Sequence, residues 1–271
     1  MNLVDVLWAE EAVVPVSDRG LAYGDGLFET IRICHNKPTL ADRHSSRLLE
    51  GAQRLGIHLT RAFLAEHLLT ACERYAREPD WVLKVTLTRG SGGRGYLPPE
   101  TARPRLIFSA NPLPPAPDPE GVSICLSNLC LSVSPALAGL KSLSRLDQVL
   151  ASRTIAAGCY EAILADRAGR LLEGTRTNIM LLMGDQWLTP PSSDLAVAGV
   201  MRARVIDYLR QKSEWVRERA LSPAMLTSRD CRGMILMNSV AGVVPVRNFG
   251  CVWLPVDARL ATICGQRLLT E

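Results

Sequence analysis

Five prolines fall within the nine residues Asn111–Pro119 (NPLPPAPDP), and no other stretch limits the fold as strongly. Proline lacks a backbone N–H and fixes φ, so this run enters neither a helix interior nor a central strand; an extended connector remains. A chain of 271 residues is long enough for one domain or two, and the connector decides for two. The division is 1–110, a linker over 111–119, and 120–271. In the first part FETIRIC reads as a strand running into the HNKP turn. Helices are expected over Ala41–Gly56, with Leu48, Ala52 and Leu55 at helical spacing, and over Arg61–Arg77, with Phe63, Leu64, Leu68, Cys72 and Tyr75 along one side. The run Trp81–Thr88 (WVLKVTLT) carries the β-favouring side chains of a strand. Past the linker come a strand at VSICLSN and a helix from Leu143 to Ala157. The meander EAILAD, RLLEG, NIMLLM and WLTP follows, then a helix from Gly199 to Gln211 and strands GMILMN and VVPV. Strands come in runs as well as alternating with helices, which indicates an α+β fold of two α/β-type domains rather than one doubly wound parallel sheet.

The side-chain inventory excludes whole reaction classes. Thirty-one basic and 27 acidic residues leave a charge of +4, too balanced for a nucleic-acid or membrane-surface footprint. No apolar run approaches the ~20 residues of a membrane span. The N-terminus lacks the basic and apolar regions of a secretory signal, so a cytoplasmic setting is expected. All four histidines (His35, His44, His58, His67) lie in the first quarter with no HxxxH spacing, which fits neither a Ser-His-Asp triad nor a histidine-rich metal site, and no metal is expected. The eight cysteines form no CxxC pair and read as reduced thiols packed as small hydrophobes.

Gly90, Gly92 and Gly95 in RGSGGRGY satisfy G-x-G-x-x-G after a strand. A dinucleotide site also needs a helix immediately afterwards to receive the pyrophosphate, and YLPPE does not start one. The segment reads instead as a flexible cationic loop whose Arg89 and Arg94 can each meet a carboxylate in bidentate fashion, or as an ordinary surface loop.

Lysine is the informative count: of 31 basic side chains only Lys37, Lys84, Lys141 and Lys212 are lysines, so amine chemistry must use one of them. A reactive amine has to be partly desolvated, so that its pKa falls. Lys37 sits in the polar HNKP turn, Lys212 ends a helix beside a glutamate, and Lys84 lies unremarkably in a strand. Lys141 follows SPALAGL and precedes SLSRL, an apolar and small-residue setting in which lysine is uncommon unless paired or functional. Downstream, Glu173 ends RLLEG, Asn178 opens the next strand, and Gly199-Val200-Met201 opens a helix whose N-terminal amides suit an anion. Taken singly these are a strand-end carboxylate, a turn former and a loop glycine. Their order, lysine then acid then asparagine then helix N-terminus, is the signal.

In that order the segments KSLSRL, EAILAD, LLEGTRTNIM, WLTP, GVMR and NSVAGVVPV, with SDRGLAYGDGLFETIRI ahead of them, resemble the fold-type IV pyridoxal-phosphate enzymes over nearly the whole chain. That family comprises branched-chain aminotransferases, D-amino-acid aminotransferases and aminodeoxychorismate lyases. The resemblance implies pyridoxal 5'-phosphate as cofactor, with Lys141 as its Schiff-base lysine and acid/base. Glu173 matches the acid that keeps the pyridine nitrogen protonated, so that the ring serves as an electron sink. Arg47 in RHSSRLL matches a phosphate-binding arginine, although a helix arginine near Glu50 has an ordinary reading too. Asn178 and Gly199 fall within the matching segments. Val200 and Met201 match the positions whose amides hold the phosphate; Met201 stands where threonine is common, which removes a hydroxyl but not the amide. Ser239 matches a further phosphate contact. Tyr23, Phe28, Thr30 and Arg32 match the substrate-side strand, or merely pack.

TRGSGGRGY and GLKSLSRLDQVLA look most like the lyase branch, the folate-biosynthesis enzymes that convert 4-amino-4-deoxychorismate to 4-aminobenzoate and pyruvate. The Arg-x-His clamp of the D-amino-acid aminotransferases is absent, since Arg94-Gly95-Tyr96 stands there, and SLSRL lacks the tyrosine that branched-chain aminotransferases carry after the lysine. Both departures leave amino transfer as the alternative. For the dianionic substrate Arg94 is the candidate cation. The family is homodimeric, so a homodimer is implied, with no nucleic-acid or membrane partner.

Overall fold

The computed structural model describes residues 4–76, 78–265, 268 and 269. It divides into two compact units, and the division falls inside the proline run, between Pro114 and Pro115. Among the described residues, the first unit holds those up to Pro114 together with Leu140–Ser144; the second holds Pro115–Gly139 and those from Arg145 to Leu269. The reading of 120–271 as one continuous domain therefore changes at one point: the segment around Lys141 clusters with the first unit.

The first unit is built from β1 (Asp5–Trp8), α1 (Arg19–Tyr23), β2 (Gly26–Cys34), β3 (Lys37–Pro38), α2 (Ala41–Leu55), α3 (Arg61–Arg74), β4 (Asp80–Thr88) and β5 (Arg105–Asn111). Its sheet has the order β1-β5-β4-β2-β3. β2 and β4 pair antiparallel over their whole length, from Gly26 opposite Thr88 to Cys34 opposite Asp80. Alternation along β2 sends Leu27, Glu29, Ile31 and Ile33 into the buried layer and leaves Phe28, Thr30 and Arg32 half-buried on the other face. Leu48 and Ala52 of α2, and Phe63, Leu64 and Leu68 of α3, close the core over Leu83, Val85 and Leu87. Gly56 ends α2 at φ 64, a left-handed conformation that glycine takes without steric cost. α3 stops at Arg74; the expected extension to Arg77 reaches a residue outside the described set.

The second unit contains β6 (Val122–Cys130), α4 (Leu146–Ser152), β7 (Glu161–Ala165), β8 (Leu171–Gly174), β9 (Asn178–Met183), β10 (Gln186–Thr189), α5 (Val200–Gln211), β11 (Trp215–Glu218), β12 (Cys231–Asn238), β13 (Gly242–Phe249), β14 (Val252–Trp253) and α6 (Ala258–Cys264). The sheet order is β11-β10-β9-β12-β13-β6-β7-β8, and β8 also pairs with β9. That extra pairing closes β9, β12, β13, β6, β7 and β8 into a ring, with Glu173 opposite Asn178 at the closure. The ring is filled by Ile124, Ile163, Leu171, Ile179, Leu181, Met234, Leu236 and Val246.

Two further expectations change. The helix expected over Leu143–Ala157 is confined to Leu146–Ser152, because Leu143 N–H donates to Gly26 O and Phe28 N–H donates to Lys141 O. Those bonds hold residues 141–143 as an extended bridge beside β2, with Leu27 opposite Ser142. The cysteines are all free thiols, but Cys130 and Cys251 are exposed while Cys72 and Cys231 are buried. No described helix is long and apolar enough to cross a membrane.

Candidate active site

In the first unit Lys141 is half-buried on the strand-like bridge, with Leu140 in the core before it and buried Ser142 after it. Its Nζ lies 4.2 Å from the centroid of the Phe28 ring, and that of Lys84 5.4 Å from the same ring. A cation over an aromatic face is stabilised by the ring quadrupole, so Phe28 helps to hold the Lys141 amine in place. Thr30 is one pleat further along the same face of β2 and opposite Lys84.

On the other face a charged group sits inside the core. Glu29 is buried (1 % exposed) and faces α2, where Arg47 Nε donates to its Oε1 at 2.7 Å and Arg47 Nη2 to its Oε2 at 2.5 Å. His44 Nδ1 donates to Oε2 at 2.6 Å. Burial pushes the Glu29 carboxyl up, but Arg47 and His44 outweigh it and hold the group at about 2. Burial lowers His44, against the pull of Glu29, and its Nε2 has no hydrogen-bond partner among the described residues. Arg47 is thus fixed side-on by a carboxylate, not a solvated helix arginine.

The glycine motif is not followed by a helix, which removes the dinucleotide reading. Arg89 is not available to a substrate: it is buried, binds Asp25 through Nε at 2.7 Å and Nη2 at 3.0 Å, and donates to the carbonyls of Leu55 and Gly56. Arg94 is exposed on the loop. Tyr23 ends α1 and meets Tyr96 edge-to-face at 5.6 Å. Arg32 lies near Asp80, 3.9 Å away.

In the second unit the barrel closure gathers the acid and the asparagine. Glu173 is buried (3 % exposed) and its Oε2 accepts from Val197 N–H at 3.2 Å; Asn178 Nδ2 donates to Val197 O at 3.0 Å. One peptide segment therefore ties both side chains to the approach of α5. Gly199 caps α5 with no side-chain hydrogen bond, which leaves the first-turn amides of Val200 and Met201 to an outside acceptor. A Cβ on Gly199 would stand 2.0 Å from Asn178 Oδ1, so any other residue here displaces the Asn178 side chain from its bond to Val197 O. Ser239 is buried in the turn between β12 and β13, where Asn238 Oδ1 accepts from the amides of Val240 and Ala241.

Three residues that the sequence reading passed over support this arrangement. Glu161 is fully buried on β7 and its carboxylate accepts from Thr175 Oγ1, Arg176 N–H and Thr177 Oγ1, pinning the turn between Glu173 and Asn178; burial raises it despite these donors. Arg202, buried on α5, donates to Thr189 Oγ1, Pro190 O and Glu218. Glu29 is the third. Carboxylates at core-facing positions of FETIRIC and EAILA were the legible signal for two of them. Taken separately, each unit offers groups that suit a phosphorylated pyridine aldehyde: the first an amine beside an aromatic ring, the second a buried carboxylate for a ring nitrogen and first-turn amides of a twelve-residue helix for phosphate.

The chain belongs to the class IV amino-transferase family, whose model matches residues 26–249, and it has the fold-type IV architecture. Enzymes of this family depend on pyridoxal 5'-phosphate. Among solved structures the chain is similar to 4-amino-4-deoxychorismate lyase from Pseudomonas aeruginosa, at 38% identity and a TM-score of 0.88, covering 93% of each chain. It is 29% identical to aminodeoxychorismate lyase of Vibrio harveyi over 86% of each chain. It is also 32% identical to a Methanocaldococcus jannaschii protein assigned as a branched-chain-amino-acid aminotransferase, over 88% of this chain and 83% of that one.

Proposed function

We propose that this protein is a pyridoxal-phosphate-dependent lyase that converts 4-amino-4-deoxychorismate to 4-aminobenzoate and pyruvate in folate biosynthesis. The observation that carries the reading is the 38% identity to a lyase of this specificity over 93% of both chains, with Arg94-Gly95-Tyr96 in place of a histidine clamp. The cofactor supplies an electron sink. Lys141 carries it, and Glu173 keeps its ring nitrogen protonated. Arg47, the amides of Val200 and Met201, and Ser239 hold its phosphate, while Asn178 and Gly199 shape the approach to that helix. Lys141 then takes the proton from the amine-bearing ring carbon and delivers one to the methylene of the departing enolpyruvyl group. The carbon–oxygen bond breaks, pyruvate leaves, and aromatisation of the ring drives the step. Tyr23, Phe28 and Thr30 line the substrate side, and Arg94 meets a substrate carboxylate. The functional form is a cytoplasmic homodimer.

The similarity to the Methanocaldococcus jannaschii protein favours amino transfer as the second reading. The two differ in the need for a keto acid. With aminodeoxychorismate alone the lyase releases pyruvate over many turnovers; with D-alanine or L-leucine plus 2-oxoglutarate it shows little transfer. Faster turnover with either amino acid would establish the second reading instead. Borohydride reduction and peptide mapping would place the cofactor on Lys141, and an adduct on Lys84 would overturn its role in both.

A further inference from the structure

We infer that Arg19 is a positioning residue for substrate binding: it clamps the backbone of the Gly92–Tyr96 loop and so fixes where Arg94 presents its guanidinium. Arg19 is only 2 % exposed, although it is an arginine in a five-residue helix at the sheet's end. Its Nη2 donates to Tyr96 O at 2.7 Å, and its Nη1 to Gly95 O at 3.1 Å and Gly92 O at 3.5 Å. Its Nε binds Asp25 at 2.9 Å, and its own amide donates to Gly90 O. The guanidinium lies 4.9 Å from the centroid of the Tyr23 ring, and Tyr23 meets Tyr96. Burial raises the Asp25 carboxyl, but Arg89 and Arg19 outweigh it and keep it ionised, so Arg19 has a permanent anchor.

The loop needs such a clamp. Gly92, Gly93 and Gly95 all have positive φ (137°, 75° and 77°), so the path requires glycine, and glycine supplies no stiffness of its own. Arg94 sits between two of these glycines with its side chain exposed. Three carbonyls captured by one planar cation restrain the peptides on both sides of it. Lysine cannot reproduce this, because a single ammonium lacks the fork that spans Asp25 and the loop together.

The inference rests on Arg94 as the contact to a substrate carboxylate, and the experiment separates the two. Arg19→Lys keeps a cation for Asp25 and loses the fork. A group that binds substrate equally in ground and transition states affects KM rather than kcat. The expected result is a KM for aminodeoxychorismate raised about tenfold, the scale of one weakened charge-assisted hydrogen bond, with kcat within about twofold. Trypsin should also cut faster after Arg94 in the folded variant. Tyr96→Ala, at an exposed ring whose loss spares the core, should shift both readouts the same way by a smaller factor. A purely structural role would lower the active fraction, and hence apparent kcat, without moving KM. If Arg94→Ala raises KM while Arg19→Lys and Tyr96→Ala do not, the positioning role is refuted and the Arg94 assignment stands. If Arg94→Ala leaves KM unchanged, the Arg94 assignment itself falls, and the positioning role falls with it.

Discussion

Glu29→Gln preserves the shape of a buried side chain and removes its charge from between Arg47 and His44. In the folded protein the carboxyl is held at about 2 against an ordinary 4.5, because the Arg47 and His44 contacts outweigh the cost of burial. A carboxyl with a depressed folded pKa contributes stability above its unfolded pKa and loses it as pH falls towards the folded value. At roughly 1.4 kcal/mol per pKa unit, the displacement from 4.5 to about 2 is worth about 3 kcal/mol at pH 7. At pH 3 the unfolded carboxyl is almost fully protonated while the folded one is still mostly ionised, and about 1–2 kcal/mol remains. The gap between wild type and Glu29→Gln, read from urea unfolding by circular dichroism, should therefore narrow by about half between pH 7 and pH 3. Two other buried groups also depend on pH. Glu161 lies in the other unit and cancels between the two proteins, whereas His44 touches Glu29. Loss of the carboxylate therefore lowers His44 further, costs the variant extra stability below pH 6.5 and partly offsets the narrowing. His44 is lowered by burial and so costs stability as pH falls below 6.5; Glu161 is raised by burial and regains stability as pH falls towards 4.5. A gap below about 1 kcal/mol at pH 7, where His44 is neutral in both proteins, would refute the view that Glu29 is held as an anion by the helix arginine.

Two further changes test the second unit. Gly199→Ala puts a methyl 2.0 Å from Asn178 Oδ1 and should cost about 2 kcal/mol of stability while weakening cofactor binding, measured by absorbance titration; unchanged affinity would sever the Asn178–Gly199 contact from the phosphate end of the site. Glu173→Gln should leave the cofactor bound with an altered absorption band and lower turnover about 10²–10³-fold; near-normal turnover would remove the electron-sink role.

Local patterns carried much of this structure, and their limits were physical. The α2 helix, the β2 and β4 strands and the N-terminus of α5 follow from spacing, because each buries a face against its immediate neighbours. The over-long helix after Lys141 failed because Gly26 and Phe28, more than a hundred residues away, take the backbone groups a helix would need. No propensity records such a pairing. Arg89 meets a carboxylate in bidentate fashion, as expected, but that carboxylate is Asp25 of the same chain. The same distant pairing explains why Lys141 has the surroundings its chemistry requires. A helix would turn residues 141–143 through successive faces, whereas the extended bridge to Leu27 holds the amine over Phe28 and keeps Leu140 in the core. Across the strand from Phe28, Glu29 faces the other way and grips Arg47. A one-residue slip of β2 would exchange the two faces, putting the carboxylate beneath the lysine and the ring against the arginine. The full-length pairing of β2 with β4, from Gly26–Thr88 to Cys34–Asp80, prevents that slip and so fixes the Glu29 carboxylate against Arg47 and the Phe28 ring against Lys141.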